Sequence, residues 1–208
     1  MHTYDRNYFK IALTAALEGL FMILLASTDL IMVGALGALS IAAVSIFMQP
    51  RLILLCFSRS LASSVTLLVS KKAGAGDTIG TADIMKKSLT LCAIFMGLLH
   101  ILFYIFLDDI FYLMGANDEY MAEAMAYGPI ALAAVYVTSL TLILQAVQLG
   151  YGRTSVIMKT NVCGNVVNLA LNALLIFGLG PIPSLGVTGA AIGTLVSTIF
   201  TLTWTAWI

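Results

Sequence analysis

Charged residues are scarce in this chain of 208 residues. Only 10% of the residues are Asp, Glu, Lys or Arg, whereas 61% are hydrophobic, and the mean hydropathy is +1.02. A soluble domain could not solvate such a surface, so the composition is typical of a multi-span helical membrane protein. Alternation of apolar and polar residues at period two is also lacking, which argues against a membrane β-barrel.

Several function classes lack the residues that they need. Ten basic residues balance ten acidic ones, so no charge that would bind nucleic acid is visible. The three cysteines lie in apolar segments and are interpreted as buried hydrophobic residues, not as disulfides or metal ligands: Cys56, Cys92 and Cys163. His100 is the only histidine in a predicted span, and no G-x-S-x-G or H-E-x-x-H motif occurs. We therefore expect neither an intramembrane enzyme nor a cofactor.

Six apolar runs are long enough to cross a bilayer, whose hydrocarbon core requires about 20 residues per helix. The predicted spans cover approximately 11–34, 42–70, 88–107, 123–149, 156–178 and 187–208. Gly, Pro, Asn and Asp interrupt every connection between them. No removable signal peptide precedes the first run, which is predicted to stay as an anchor. The sequence therefore predicts an all-α, polytopic membrane protein with six transmembrane helices in contact with membrane lipids.

Basic residues predict the orientation of these spans. Eight of them fall on one side of a six-span arrangement: Arg6, Lys10, Lys71, Lys72, Lys86, Lys87, Arg153 and Lys159. The loops on the other side carry acidic residues and no Lys or Arg. By the positive-inside rule, the N-terminus is expected in the cytoplasm of a multi-pass protein of the cell membrane. The chain stops at Ile208 inside an apolar run, so we also expect a truncated chain that lacks a second lobe.

Four charged residues fall well inside the predicted spans, away from their ends: Glu18, Asp29, Arg51 and Arg59. Each costs about 2.5–3.5 kcal/mol at the bilayer centre on insertion scales, so each must face protein or water. The depths allow pairing of Glu18 with Arg59 and of Asp29 with Arg51, and we favour structural ion pairs for Glu18, Arg51 and Arg59. Asp29, beside Ser27 and Thr28, is instead a candidate proton carrier or Na⁺ ligand.

A row of asparagines marks the fifth predicted span. Asn161, Asn165, Asn168 and Asn172 are four, three and four residues apart, so they fall within roughly 60° of one another on a helix. Asparagines between membrane helices often serve only as packing contacts, worth about 0.6–2 kcal/mol each. Four on one face indicate a wet or ligand-lined surface equally well. Two glutamines of the fourth span are candidates to line the same cavity: Gln145 and Gln148.

Four segments resemble the multidrug and toxic compound extrusion (MATE) family. They are "STDLIMVGALGALSIAAVS", "KKAGAGD", "IFYLMGANDEYMAEAMAY" and "LNALLIFGLGPIPSLGVTGAAIGT", in the same order and spacing over nearly all of residues 10–208. Members have twelve spans in two lobes and exchange organic cations or drugs for H⁺ or Na⁺. The resemblance implies that this chain is the N-terminal lobe. It also implies a cation site at Asp29, Asn168 and Thr194, with Asn172 standing where many members carry an aspartate.

The expected function is therefore cation-coupled export of a drug or organic cation by alternating access. A flippase for lipid-linked oligosaccharide or polysaccharide is the nearest alternative, since such proteins line their cavity with arginines, and only Arg51 and Arg59 are candidates here. An oligomeric six-span channel is an alternative of another class, although paired NPA motifs and a filter-like repeat are missing.

Overall fold

A computed structural model of the chain describes residue 28 and residues 30–178 and 183–208, nearly all of them helical. Seven helices follow a short helical stretch at residues 30–34. Their bounds are α1 Ala38–Ile46, α2 Met48–Gly74, α3 Thr78–Ile105, α4 Leu107–Leu113, α5 Asp118–Gly150, α6 Thr154–Phe177 and α7 Gly186–Trp207. Within the described residues, five segments are long and apolar enough to span a membrane: α1 together with α2, α3, α5, α6 and α7. The predicted all-α, multi-pass membrane fold is thus confirmed, while most of the first predicted span lies outside the described residues.

The second and third predicted spans have the wrong bounds. The second is not one helix from residue 42, because the helix is interrupted at Phe47 between α1 and α2. The third begins at Thr78 rather than residue 88, and the predicted loop at 71–87 shrinks to a tight turn. Gly76 adopts a φ of 71° there, and the Asp77 carboxylate caps α3 by accepting a hydrogen bond from a backbone N–H of its first turn. Hydropathy alone misses polar helical turns that project beyond the apolar core.

The predicted loop before the fourth span contains the short helix α4. Its Leu107 and Phe111 are buried, and both contact α5 where Gly128 leaves room. A Cβ at Gly128 would lie 2.9 Å from the Phe111 ring and 3.0 Å from Leu107. The acidic residues of this segment obscured its apolar face, so α4 was not predicted.

Helix α5 is the centre of the bundle. It packs against α1, α2, α3 and α7. In its most apolar stretch 56% of the residues are buried, compared with at most 33% in the other spans. Its contact with α2 is close, because Ser58 donates a hydrogen bond of 2.8 Å to Ser139 and Thr66 donates to the Ala146 carbonyl at 3.2 Å. Apolar residues of α1 to α5 form the main core around this pair.

Helix α6 is attached to the bundle mainly through α7. Gly189 and Gly193 of α7 are four residues apart and face α6, where a Cβ at Gly189 would overlap the Leu175 carbonyl. A Cβ at Gly164 of α6 would overlap the Thr201 hydroxyl in return. Small residues at this spacing allow membrane helices to approach closely. Because α6 contacts α5 only sparsely, a gap remains between α6 and the α2–α5 pair.

Candidate functional site

A cavity of about 470 Å³ occupies the gap between α6 and the α2–α5 pair. Leu30 and Val33 line it from the segment before α1, and Val44 lines it from α1. Met48 and Leu55 of α2 add apolar surface, whereas α5, α6 and α7 contribute mainly amide and hydroxyl side chains. The cavity therefore has a wall of apolar side chains, to which Arg51 and Arg59 of α2 add two charged groups, and a polar wall, an arrangement that suits an amphipathic molecule.

The asparagine row supplies most of the polar wall. Asn161, Asn165, Asn168 and Asn172 all line the cavity, since α6 is one uninterrupted helix across them. Asn168 is only 8% exposed and Asn172 only 2%, so the C-terminal half of the row is buried in the lobe. Buried amides need hydrogen-bond partners, which makes their contacts informative.

Three residues that the resemblance assigns to a cation site lie together here. Asn172 Nδ2 donates to Asn168 Oδ1 at 3.3 Å, and Asn168 Nδ2 donates to the Thr194 hydroxyl oxygen at 3.3 Å. The Thr194 hydroxyl donates in turn to the Ala190 carbonyl at 2.9 Å. The chain of donors orients neutral oxygen atoms of α6 and α7 around one region. Neutral oxygens of this kind coordinate hard cations or accept a hydrogen bond from a protonated carboxyl.

Asp29 and Glu18 lie outside the described residues. Thr28, just before Asp29, is helical and partly buried. Leu30 and Val33, which follow it, both line the cavity. The part of the chain that the structure describes contains no group of three or more His, Cys, Asp or Glu residues able to hold a metal ion.

The two predicted glutamines have different surroundings. Gln145 lines the cavity and is 7% exposed. Its Nε2 donates a hydrogen bond of 2.7 Å to Asn161 Oδ1, which links α5 to the first asparagine of the row. Gln148 is not among the residues that line the cavity. Its Oε1 is buried without a hydrogen-bond partner among the described residues.

Arg51 and Arg59 line the cavity from α2 and are exposed into it. They are its only charged lining residues within the described ranges. No carboxylate in those ranges lies within 4.0 Å of either guanidinium. The two ion pairs found there join Lys72 to Asp77 and Lys87 to Asp83 instead. The expected ion pairs with Glu18 and Asp29 stay a prediction.

Hydroxyl residues are the part of the lining that sequence reasoning missed. They lie on α5 and α7, and they are Tyr127, Thr138, Thr141, Ser197, Thr198 and Thr201. A signal for them exists, because Thr194, Ser197, Thr198 and Thr201 follow a helical repeat of three and four. His100 lies elsewhere, with its Nδ1 2.7 Å from the Met96 carbonyl oxygen and its ring edge-to-face with Tyr136.

The MatE family model matches residues 14–174, which is more than half of the chain. The chain belongs to the MatE family. Of its curated relatives, the probable multidrug resistance protein NorM of Rhizobium meliloti is 30% identical over 169 residues, covering 81% of this chain and 36% of the relative. The FAD transporter of Shewanella oneidensis is 29% identical over 180 residues, covering 84% of this chain and 38% of the relative.

Solved structures of MATE transporters share the fold described above. An outward-facing multidrug resistance MATE transporter of the MOP superfamily superposes with a TM-score of 0.83 at 27% identity. The match covers 91% of this chain and 41% of that one. The chain thus spans well under half the length of these two curated relatives and of this solved transporter.

Proposed function

We propose that this MatE chain forms one lobe of a cation-coupled transporter that exports drugs or other amphipathic small molecules by alternating access. The observation that carries the proposal is the cavity, in which apolar side chains face a wall of amides and hydroxyls. A binding site for amphipathic molecules requires that combination. The names of the relatives agree, since one is a probable multidrug resistance protein and another an FAD transporter.

A second lobe is part of the proposal. The matched part of the chain covers 36–38% of the two curated relatives and 41% of the solved transporter, which leaves room for another lobe of similar size. Alternating access then takes place between the two lobes around a shared cavity. The positive-inside distribution of Lys and Arg supports a cytoplasmic N-terminus in the cell membrane.

Asp29 is proposed to hold the coupling ion, H⁺ or Na⁺. Asn168, Asn172 and Thr194 would then supply neutral oxygens, and their hydrogen-bonded chain supports a shared role. An amide at Asn172 cannot titrate, so a single carboxylate would load and release the cation. Loading would change which amide groups are engaged, and the resulting shift of the first span would bias the lobe between outward-facing and inward-facing states.

The test is Asp29→Asn in the protein expressed from its complete gene and reconstituted in liposomes. An imposed H⁺ or Na⁺ gradient should drive export of a fluorescent drug by the wild type and not by the variant, whereas both should be eluted as folded protein by size exclusion. Asp83→Asn is the matched control, because Asp83 is exposed and paired with Lys87 outside the cavity. Normal gradient-driven export by Asp29→Asn would refute the assignment.

Transport of a lipid-linked oligosaccharide is the second candidate. Arg51 and Arg59 favour it, because both line the cavity and guanidinium groups bind phosphate through paired hydrogen bonds. No step of either candidate function is catalytic.

A further inference from the structure

We infer that the cavity takes substrates that carry a negatively charged oxyanion, a phosphate or a carboxylate, on an apolar body, and that Arg51 and Arg59 bind this group. The inference rests on the proposed transport function and names the substrate class of the same site. It departs from the organic cation that the resemblance implies.

The charges of the cavity carry the argument. Among its lining residues that the structure describes, Arg51 and Arg59 are charged and none is acidic. A permanent cation that enters such a site meets two like charges at short range, where the lowered dielectric strengthens the repulsion. An oxyanion meets two guanidinium groups whose fixed fork of N–H donors matches its geometry. The two guanidinium groups therefore favour a negatively charged group at their wall of the cavity.

The two arginines lie in a membrane span, where a charged side chain without a polar partner is unfavourable. Both belong to the span formed by α1 and α2, and insertion of Arg at the centre of a membrane helix is unfavourable. Their side chains are exposed into the cavity rather than packed in the core. Arginines kept at such positions need a polar partner, and an oxyanion on a transported molecule is a partner that the cavity can admit.

The spacing of the two arginines sets the size of the molecule. Arg51 and Arg59 are eight residues apart, which corresponds to about 12 Å along the helix axis, so an extended molecule or one with two negative charges can contact both. Met48 and Leu55 lie on the same helix and the same cavity wall, where they contact an apolar body. Asn165 and Thr138 across the cavity offer neutral hydrogen-bonding groups.

An anionic substrate affects how coupling can work. A bound anion attracts a cation at Asp29 instead of repelling it, so exchange cannot arise from competition between charges. It must come from the change in cavity shape proposed for cation loading, which allows the two ligands to prefer different conformations.

The test compares two dyes on the same xanthene ring system, anionic 6-carboxyfluorescein and cationic rhodamine 123. Binding to the complete, detergent-purified protein is measured by fluorescence anisotropy. We expect the wild type to bind carboxyfluorescein more tightly than rhodamine 123, with an affinity for the anion that falls as salt is raised. Tighter or equal binding of rhodamine 123 with no salt dependence for the anion would overturn the inference without any variant.

Variants then assign the effect to the two arginines. The double variant Arg51→Gln, Arg59→Gln should weaken carboxyfluorescein binding by about tenfold or more, the loss expected for hydrogen bonds to a charged group, and leave rhodamine 123 binding unchanged or tighter. Arg51→Lys, Arg59→Lys preserves the charge but not the fork of donors and should lose less affinity than the glutamine variant, which keeps the test open if the glutamine variant does not fold. Arg153→Gln is the matched control, since Arg153 lies over Tyr151 in the turn before α6, outside the cavity. Unchanged anion binding by the folded glutamine variant would refute the role of the arginines.

A third probe distinguishes a soluble anion from a lipid-linked one. Farnesyl phosphate, with farnesol as its uncharged counterpart, should displace carboxyfluorescein in an arginine-dependent manner. Displacement at concentrations well below the Kd of 6-carboxyfluorescein indicates a lipid-linked phosphate as the natural source, and displacement only well above that Kd indicates a soluble organic anion. Equal displacement by farnesol would contradict the inference. Failure of gradient-driven flux with intact arginine-dependent binding would instead refute only the coupled transport proposed above.

Discussion

Substitution of Gly193 by alanine should disconnect the proposed cation site while leaving the bundle folded. A Cβ at Gly193 would overlap Asn172 Oδ1 and approach the Asn172 backbone nitrogen to 3.3 Å. The Asn172 side chain must therefore rotate, and its hydrogen bond to Asn168 Oδ1 is lost. Since Asn172 is 2% exposed, little water reaches its amide to replace that partner.

The magnitude follows from two opposing contributions. An unsatisfied buried amide costs about 1–3 kcal/mol of unfolding free energy. Replacement of glycine by alanine inside a helix returns about 1 kcal/mol. The net destabilisation for Gly193→Ala is thus about 0–2 kcal/mol, which a folded protein tolerates, whereas the geometry of Asn168 and Thr194 changes directly. We therefore expect Gly193→Ala to lose gradient-driven export while the protein stays folded.

Gly97→Ala is the matched control for this prediction. A Cβ at Gly97 would lie 3.8 Å from the Tyr136 ring, an ordinary contact, so only the gain in helix propensity remains. Thermal unfolding in detergent should place Gly193→Ala below Gly97→Ala by about 1–3 kcal/mol of unfolding free energy. Flux assays with an H⁺ or Na⁺ gradient should show a defect only in Gly193→Ala. Equal stability and equal flux of the two variants would refute the contact between α7 and Asn172.

Two further predictions concern polar groups away from this contact. Gln145→Ala should lower the unfolding free energy by about 1–3 kcal/mol, because the bond to Asn161 is lost, whereas Gln148→Met, which removes an unpaired buried oxygen, should leave stability unchanged or raise it in the same thermal assay. The Lys72 ammonium, and then a backbone N–H of α3, hold the pKa of Asp77 below its ordinary value, so this carboxylate stabilises the turn at neutral pH and ceases to do so as pH falls through the lowered pKa. Asp77→Asn keeps a capping side chain but removes the titrating group, so the melting temperature should depend less on pH on the acid side, and an unchanged profile would show that ionisation of Asp77 contributes nothing.

Apolar runs and helical spacing predicted the parts of the fold that depend on local chemistry. The bilayer demands about 20 apolar residues per span, so the fifth and sixth spans were predicted within two residues of the helix ends. The asparagine row could also be recognised, because a fixed angle per residue places Asn161 to Asn172 on one face before any tertiary contact is known.

Features that depend on neighbouring helices could not be predicted in this way. The break at Phe47 interrupts an apolar run that hydropathy treats as continuous, and the long polar start of α3 depends on the cap at Asp77. Gln145 and Gln148 are three residues apart and equivalent by spacing, yet only Gln145 meets α6. That difference arises from the angle at which α5 crosses its neighbours, which no pattern within α5 encodes.

The placement of the polar groups suggests how one cavity can serve both the ion and its cargo. The hydrogen-bonded amides and Thr194 lie on α6 and α7, whereas the two arginines lie on α2 across the gap. Helix α6 is held through close contacts at Gly164, Gly189 and Gly193 of the α6–α7 pair and only sparsely by α5. A change of partners at Asn168 or Asn172 therefore acts on the helix that is least fixed to the core. We expect such a change to alter the width of the cavity at the arginines, so that a cation and an oxyanion on opposite walls influence each other through the position of α6.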